Sequence, residues 1–463
     1  MDAQLEFDRG TLLVRALPPG LLGEGLPGLT WDPRVRAWRA PGWRWAELAA
    51  ALAARGSPAL PLLRDDGPPP EAWAVPALRP YQAAALDAWE LAGRRGLVVL
   101  PTGAGKTVVA LAAMARAAVA ALVLVPTRAL LVQWRAALGD VLRAPVGALG
   151  DGRRQLEAVT VATYESAWRH MAAIGDRFGL LVVDEAHHFG GGTRDEALEL
   201  ALAPARLGLT ATPPEDPRAF LRLTELVGPV VLRLAIDDLA GSWLAGLDRL
   251  VLRVALTPGE RRAHERDRAA FRAFAGPFRR ERPHASWEEL VRAAAATPEG
   301  QRAMAAWRRA ERLVSYPQAK AELVGRLLQR HRGQRTLVFV SDVASAYQVA
   351  REHLVMPITY HVKRAERAWA LAAFARGELE ALVAARVLDE GLDVPAAEVA
   401  IVVGGSGSVR QHTQRVGRVL RPAAGKRALL YELIVADTPE EQRARARRAG
   451  LPRGAAAPGG AGV

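Results

Sequence analysis

The chain contains no cysteine. That excludes disulfides, thiolate zinc fingers and cysteine-bound iron–sulfur clusters, and it suits a reducing compartment. Lysine is nearly absent as well: Lys106, Lys320, Lys363 and Lys426 are the whole set. No apolar run reaches about 18 residues without a charge or a turn, so no membrane span is expected. The opening MDAQLEFDRG carries acidic residues and no apolar core, so no secretory signal is expected. A soluble, cytoplasmic protein is the expectation. His187, His188 and His361 have no cysteine or suitably spaced histidine partners, which argues against a structural metal site.

What is abundant is arginine. Among 463 residues, 62 Lys and Arg face 49 Asp and Glu, a formal net charge of +13. Arginine forks suit phosphate, so an anionic partner is implied. An Ala- and Arg-rich chain is also produced by a GC-rich genome, and the bias alone does not choose between these causes. Half the residues are apolar and 24% are charged, a globular composition whose length suggests two to four domains.

Residues 1–56 read as a small domain with two short strands around Asp8-Arg9-Gly10 and a helix from Trp43 stopped at Gly56. A proline-rich linker, 57–77, comes next. From 78 to 233 the runs GLVVLP, ALVLVP, VTVATY, LLVVDE and RLGLTATP alternate with helical stretches. Runs without polar alternation predict parallel strands covered by helices on both faces. Residues 234–315 read as a connector and a charged helical insert. The runs TLVFVS, EALVAARV, EVAIVVGG and RALLYELIV then define a second α/β lobe over 316–449, and 450–463 reads as a disordered tail. The fold class expected is α/β: two RecA-like parallel-sheet lobes, a thumb-like helical insert and a small N-terminal α+β domain.

The segment GLVVL-PTGAGKT-VVALAAMARAA is strand, glycine loop, helix. Gly103 and Gly105 let backbone N–H groups turn toward phosphate, flanked by Thr102 and Ala104, and the new helix points its positive end there. Lys106 can reach the β- and γ-phosphates of ATP, and the Thr107 hydroxyl can ligate Mg²⁺. Leu100 stands where the longer loop signature needs glycine. In LLVVDEAHH, Asp184 and Glu185 end a buried run, where one carboxylate can hold the metal and the next can orient or deprotonate the attacking water. QHTQRVGRVLRP sets Arg415, Arg418 and Arg421 at three-residue spacing on one helix face. Arginines from a second lobe can neutralise charge in phosphoryl transfer.

In order, PTGAGKT, VPTRALLVQW, DEAHH, GLTATP, VLDEGLDVP and QRVGRVLRP resemble the motif series of superfamily 2 helicases. LRPYQ, the helical insert, VVGGSGSVRQHTQRVGRVLRP and WDPRVRAWRAP further resemble the XPB-like DNA repair helicases of archaea and bacteria. The resemblance implies a DNA-dependent ATPase moving 3′→5′ on single-stranded or forked DNA, as a monomer, sometimes with a nuclease partner. It places Arg79 and Gln82 at the adenine, Thr210 and Thr212 in coupling hydrolysis to movement, and Gly391 and Asp393 at the nucleotide. It makes Arg418 and Arg421 the arginine fingers, with Gln414 near the γ-phosphate. Pro126, Thr127, Arg128 and Thr163 would grip the phosphate backbone, contacts that carry no sequence information.

Two departures bear on strand separation. The family's Arg-Glu-Asp triplet is replaced by Thr212-Pro213-Pro214-Glu215-Asp216, without the arginine, and Arg386 stands where relatives carry Asp or Lys. Translocation on duplex DNA without unwinding is therefore an alternative, as is a motor acting on RNA; a scaffold that binds ATP without turnover is a third. In the insert, Arg261, Arg262, Arg272, Arg279, Arg280, Arg308 and Arg309 with Phe271, Phe274 and Phe278 suit nucleic-acid contact, or else a helical hairpin with its own core. In the N-terminal domain, Trp31, Trp38, Trp43 and Trp45 lie among arginines, and most are expected in the core.

Overall fold

The computed structural model describes residues 4–16, 26–56, 62–64, 73–239, 246–385, 397–404 and 427–447. Arg386, Gly391, Asp393, Gln414, Arg415, Arg418, Arg421 and the tail 450–463 lie outside them. Two compact units divide the chain between Ala235 and Ile236.

The first unit opens with four strands, β1 (Gln4–Asp8), β2 (Thr11–Ala16), β3 (Thr30–Asp32) and β4 (Ala37–Pro41), in the antiparallel order β1-β2-β4-β3. Helix Trp45–Ala53 covers one face, burying Leu48 and Leu52 against Leu12 and Val14. This small domain shares its interior with the rest of the unit. Leu202 sits in its core cluster, and Trp43 joins the core of the larger sheet beneath Arg222. Trp43 and Trp45 are buried as expected, whereas Trp31 is half exposed and packs edge-on against Trp38. Within 57–77, Arg64 is paired with Asp176 at 2.6 Å, and Trp73 bridges to Leu142.

The larger sheet of this unit holds β5 (Arg95–Val99), β6 (Ala121–Val125), β7 (Val146–Gly150), β8 (Arg153–Gln155), β9 (Val159–Thr163), β10 (Leu180–Asp184), β11 (Ala205–Thr210) and β12 (Val230–Arg233). Their order is β12-β5-β11-β10-β6-β9-β7-β8, parallel except for the β7–β8 pair. Strands β6, β9, β10 and β11 are buried at every residue, which is why their sequences show no polar alternation. All the parallel strands therefore end at one edge, where sites of open α/β sheets form.

The second unit has a six-stranded parallel sheet: β13 (Gly246–Val254), β14 (Thr336–Val340), β15 (Met356–Ile358), β16 (Ala381–Ala385), β17 (Val399–Val402) and β18 (Arg427–Val435), in the order β13-β18-β17-β14-β16-β15. Residues 246–254, read from the sequence as connector, are thus an edge strand of this sheet. The insert is three helices, Pro258–Glu281, Trp287–Ala295 and Pro298–Ser315, the first two opened by capping boxes at Thr257/Glu260 and Ser286/Glu289. Its own core holds Phe271, Leu290, Ala294 and Met304, with Phe274 and Phe278 packed against it. The phenylalanines are hairpin core, and Arg309 is engaged with Asp267 at 2.7 Å.

Candidate active site

Five neighbouring strands of the first unit deliver the site at their C-terminal ends. In spatial order, β5 leads to the glycine loop, β11 to Thr210 and Thr212, β10 to Asp184 and Glu185, β6 to Pro126–Arg128, and β9 to Thr163. The sheet thus sets phosphate-type chemistry on one side and backbone-grip candidates on the other.

Gly103 and Gly105 both adopt positive φ, 86° and 77°, and Gly105 caps helix Lys106–Ala117. A Cβ at Gly105 would stand 2.5 Å from Gln82 Nε2, so only glycine fits. Gln82 is buried, accepting from Arg79 N at 2.9 Å and donating to Ala104 O at 3.0 Å. Tyr81 donates to the same carbonyl at 2.8 Å. Both residues hold the loop in place. Lys106 Nζ folds across the loop to Leu100 O at 3.2 Å, and Thr102 and Thr107 are half-buried beside it.

Asp184 ends β10, buried, with each carboxylate oxygen accepting one bond: Oδ1 from Glu185 N at 3.0 Å and Oδ2 from the indole of Trp134 at 2.8 Å. Burial, then the adjacent Glu185 charge, push its pKa up to about 6, while the Trp134 bond and Lys106 pull the other way. Glu185 turns in a left-handed conformation, φ 54°. Its Oε2 is buried without a hydrogen-bond partner among the described residues, 3.4 Å from His187 Nδ1. His187 continues to Thr210 Oγ1 at 3.0 Å, and Thr210 donates to Thr212 O at 3.0 Å. A polar chain therefore runs from Glu185 to the Thr210–Thr212 segment. Tyr164, which opens the helix after Thr163, donates to the carbonyls of both Asp184 and Glu185. Trp134 and Tyr164 carry no signal in the sequence, and His187 was weighed there only as a metal ligand; nothing in their spacing marks a partner 50, 20 or 23 residues away.

A hard divalent cation fits this donor set. Asp184 and Thr107 offer oxygens, and two adjacent carboxylates facing one lysine leave negative charge to offset.

On the other side, Thr127 caps helix Arg128–Val141 by accepting from Leu130 N, and Thr163 caps helix Tyr164–Ile174 by accepting from Ser166 N. Two helix N-termini thus open side by side on neighbouring strands, a geometry suited to phosphate. Arg128 is exposed, 3.6 Å from Asp151. Asp216 caps helix Pro217–Val227 through Arg218 N at 3.2 Å, a local role for one of the two acidic residues after Pro214.

The glycine loop, the carboxylate pair and the parallel sheet define a helicase-type ATPase. Comparison with known proteins agrees on fold and family. Residues 76–215 match the family model for the type III restriction enzyme res subunit, 319–423 the helicase conserved C-terminal domain, and 5–59 the xeroderma pigmentosum group B helicase damage recognition domain. The chain is 35% identical over 423 residues to the DNA 3'-5' translocase XPB2 of Sulfurisphaera tokodaii, covering 91% of this chain and 96% of that protein. It is 29% identical to the DNA 3'-5' helicase XPB of Mycobacterium tuberculosis, spanning 80% of this chain and 63% of the relative. The solved Hef helicase domain of Pyrococcus furiosus shares the fold at a TM-score of 0.54, with 19% identity over 80% of this chain and 98% of that one. The chain belongs to the XPB family of DNA helicases and translocases.

Proposed function

We propose that the chain is a DNA-dependent ATPase that moves 3′→5′ along DNA in repair, remodelling or unwinding it. The observation carrying this reading is the Asp184–Glu185 pair at the end of β10, two strands from the glycine loop after β5 and one and two strands from the open helix N-termini after β6 and β9. ATP enters at the loop with its phosphates on Lys106 and the N–H groups after Gly103. Thr107 and Asp184 would hold Mg²⁺, which would supply charge neutralisation at the phosphates. Glu185, whose Oε2 faces His187 without a hydrogen bond among the described residues, orients and deprotonates the attacking water. Gln82, with Arg79 beside it, moves its amide from the loop carbonyls to the adenine edge. His187 passes the change at Glu185 to Thr210 and Thr212. Pro126, Thr127, Arg128 and Thr163 hold the phosphates of one DNA strand. Gly391, Asp393, Gln414, Arg418 and Arg421 contribute to the nucleotide's chemistry, the arginines by neutralising developing charge. A nuclease partner fits a repair role.

Whether strands separate is a second matter. The absent arginine before Glu215 and the capping role of Asp216 favour duplex translocation over wedge-like unwinding. Strand displacement on 3′-tailed, 5′-tailed and forked DNA, run beside triplex displacement, separates the cases. Triplex displacement without unwinding is the outcome expected; unwinding of a 3′-tailed duplex restores the helicase reading, and activity on 5′ tails alone contradicts the polarity.

A further inference from the structure

Two tryptophans of the first unit are buried and donate from the indole, but to different ends. Trp89 Nε1 bonds the backbone carbonyl of Arg206 at 2.9 Å, an ordinary means of satisfying a buried donor. Trp134 Nε1 bonds Asp184 Oδ2 at 2.8 Å, with Trp134 only 2% exposed. Its acceptor is the carboxylate placed to hold the metal, and the other oxygen of that carboxylate already accepts from Glu185 N. With one donor on each oxygen, the plane of the Asp184 carboxylate is fixed, and a second lone pair on each stays available to a cation.

The helix that carries Trp134 matters equally. Arg128–Val141 starts at Thr127, among the proposed strand-contact residues, and Trp134 lies about 9 Å further along its axis at the usual rise per residue. One helix therefore presents its N-terminus to the strand-contact edge and its indole to the metal-holding carboxylate.

We infer that Trp134 is a positioning residue: it sets Asp184 for magnesium and, through its helix, ties strand contact at Thr127–Arg128 to metal binding. The first half stands on the bond itself; the second rests on the function proposed above. Partners that orient a metal ligand commonly contribute about 10–100-fold in metal affinity or activity when lost. The indole N–H is a donor only, so no other natural side chain reproduces both its shape and its bond.

The test uses the full chain with Trp134 replaced by 3-benzothienylalanine, in which sulfur stands for the N–H and shape is kept, alongside Trp134→Phe. Binding of a fluorescent ATP analogue is titrated with Mg²⁺ in the absence of DNA. The expected result is a rise of about 10–100-fold in the half-saturating Mg²⁺ concentration. Binding in EDTA stays at its original value, and the benzothienyl variant stays folded at the assay temperature, with a melting temperature lowered by the lost bond. An unchanged Mg²⁺ dependence in that variant overturns the positioning role, whatever happens to hydrolysis. At saturating Mg²⁺, the fold-stimulation of ATPase by DNA is expected to fall; an unchanged stimulation overturns the tie to strand contact. Should the unaltered protein hydrolyse no ATP on any nucleic acid, the proposed function fails, and the Mg²⁺ titration still decides the role of Trp134.

Discussion

Glu185 is a non-glycine residue in the left-handed region, φ 54° and ψ 46°, a conformation that costs on the order of 1–3 kcal/mol. The neighbouring bonds to Tyr164 and Asp184 hold it there, and the result is a buried carboxylate oxygen that faces His187 without a hydrogen bond among the described residues. Glu185→Gln should keep ATP binding and lower kcat by about 10²–10⁴-fold, the usual share of a general base; single-turnover hydrolysis beside analogue binding checks both. A second residue-scale case is Lys320, wholly buried, whose ammonium donates to Val403 O at 2.6 Å and to both oxygens of Glu440 at 2.8 and 2.9 Å. Glu440→Gln leaves that charge without its counterion, which should destabilise the second unit by about 3–5 kcal/mol in denaturant unfolding. Replacing Lys320 and Glu440 together by apolar residues should cost much less. Legibility at this scale was uneven. The places of Lys106, Asp184 and Glu185 at strand ends were readable because they follow from spacing along the chain. Trp134 and Lys320 were not, because their partners lie 50 and 120 residues away. Arg206 is the sharpest miss: a guanidinium inside a buried strand, satisfied by the Ala201, Ala203 and Leu226 carbonyls.

Among the elements, the glycine loop and the edge strands behave in opposite ways. The loop is set by residue type: Gly105→Ala meets both a left-handed φ and the Gln82 amide at 2.5 Å. That change should lower nucleotide affinity by at least tenfold, read by analogue binding, with the fold intact by circular dichroism. Central strands were legible because burial on both faces writes a continuous apolar run. Edge strands lack that signature. β13 alternates with Asp248, Arg249 and Arg253, β8 is three exposed residues, and β15 contains Pro357, which an edge tolerates. The helical insert was legible as helices but not in its packing. Asp267, facing Arg309, has its pKa lowered chiefly by that hydrogen bond. A depressed carboxylate stabilises the fold at and above the ordinary carboxylate pKa and loses that contribution as pH falls through the lowered value. Asp267→Asn should therefore lower the melting midpoint at pH 7, with the difference shrinking as pH falls below the ordinary carboxylate range, followed by thermal melts across pH.

At the scale of the whole molecule, the small N-terminal domain is built into the first unit. Trp43 and Leu202 each sit in the other's core, so the two pieces share one interior. In the stretch 57–77, expected as a linker, the described residues Arg64 and Trp73 contact Asp176 and Leu142. The family, the two parallel sheets and the glycine loop were all legible in the motif order; the proposed roles of Gln414, Arg418 and Arg421, which lie outside the described residues, are tested by activity. Arg421→Ala should cut kcat by about 10³-fold or more with nucleotide affinity little changed, the pattern of a group that acts on the transition state. The central claim is a motor driven by ATP and switched by DNA. Steady-state hydrolysis by the purified chain, compared with no nucleic acid, single-stranded DNA, duplex DNA and RNA across a salt series, tests it most directly. DNA should raise the rate several-fold at low salt, with the effect weakening as salt rises, and RNA should not. Stimulation by RNA but not DNA, or no turnover on any of them, would contradict the account.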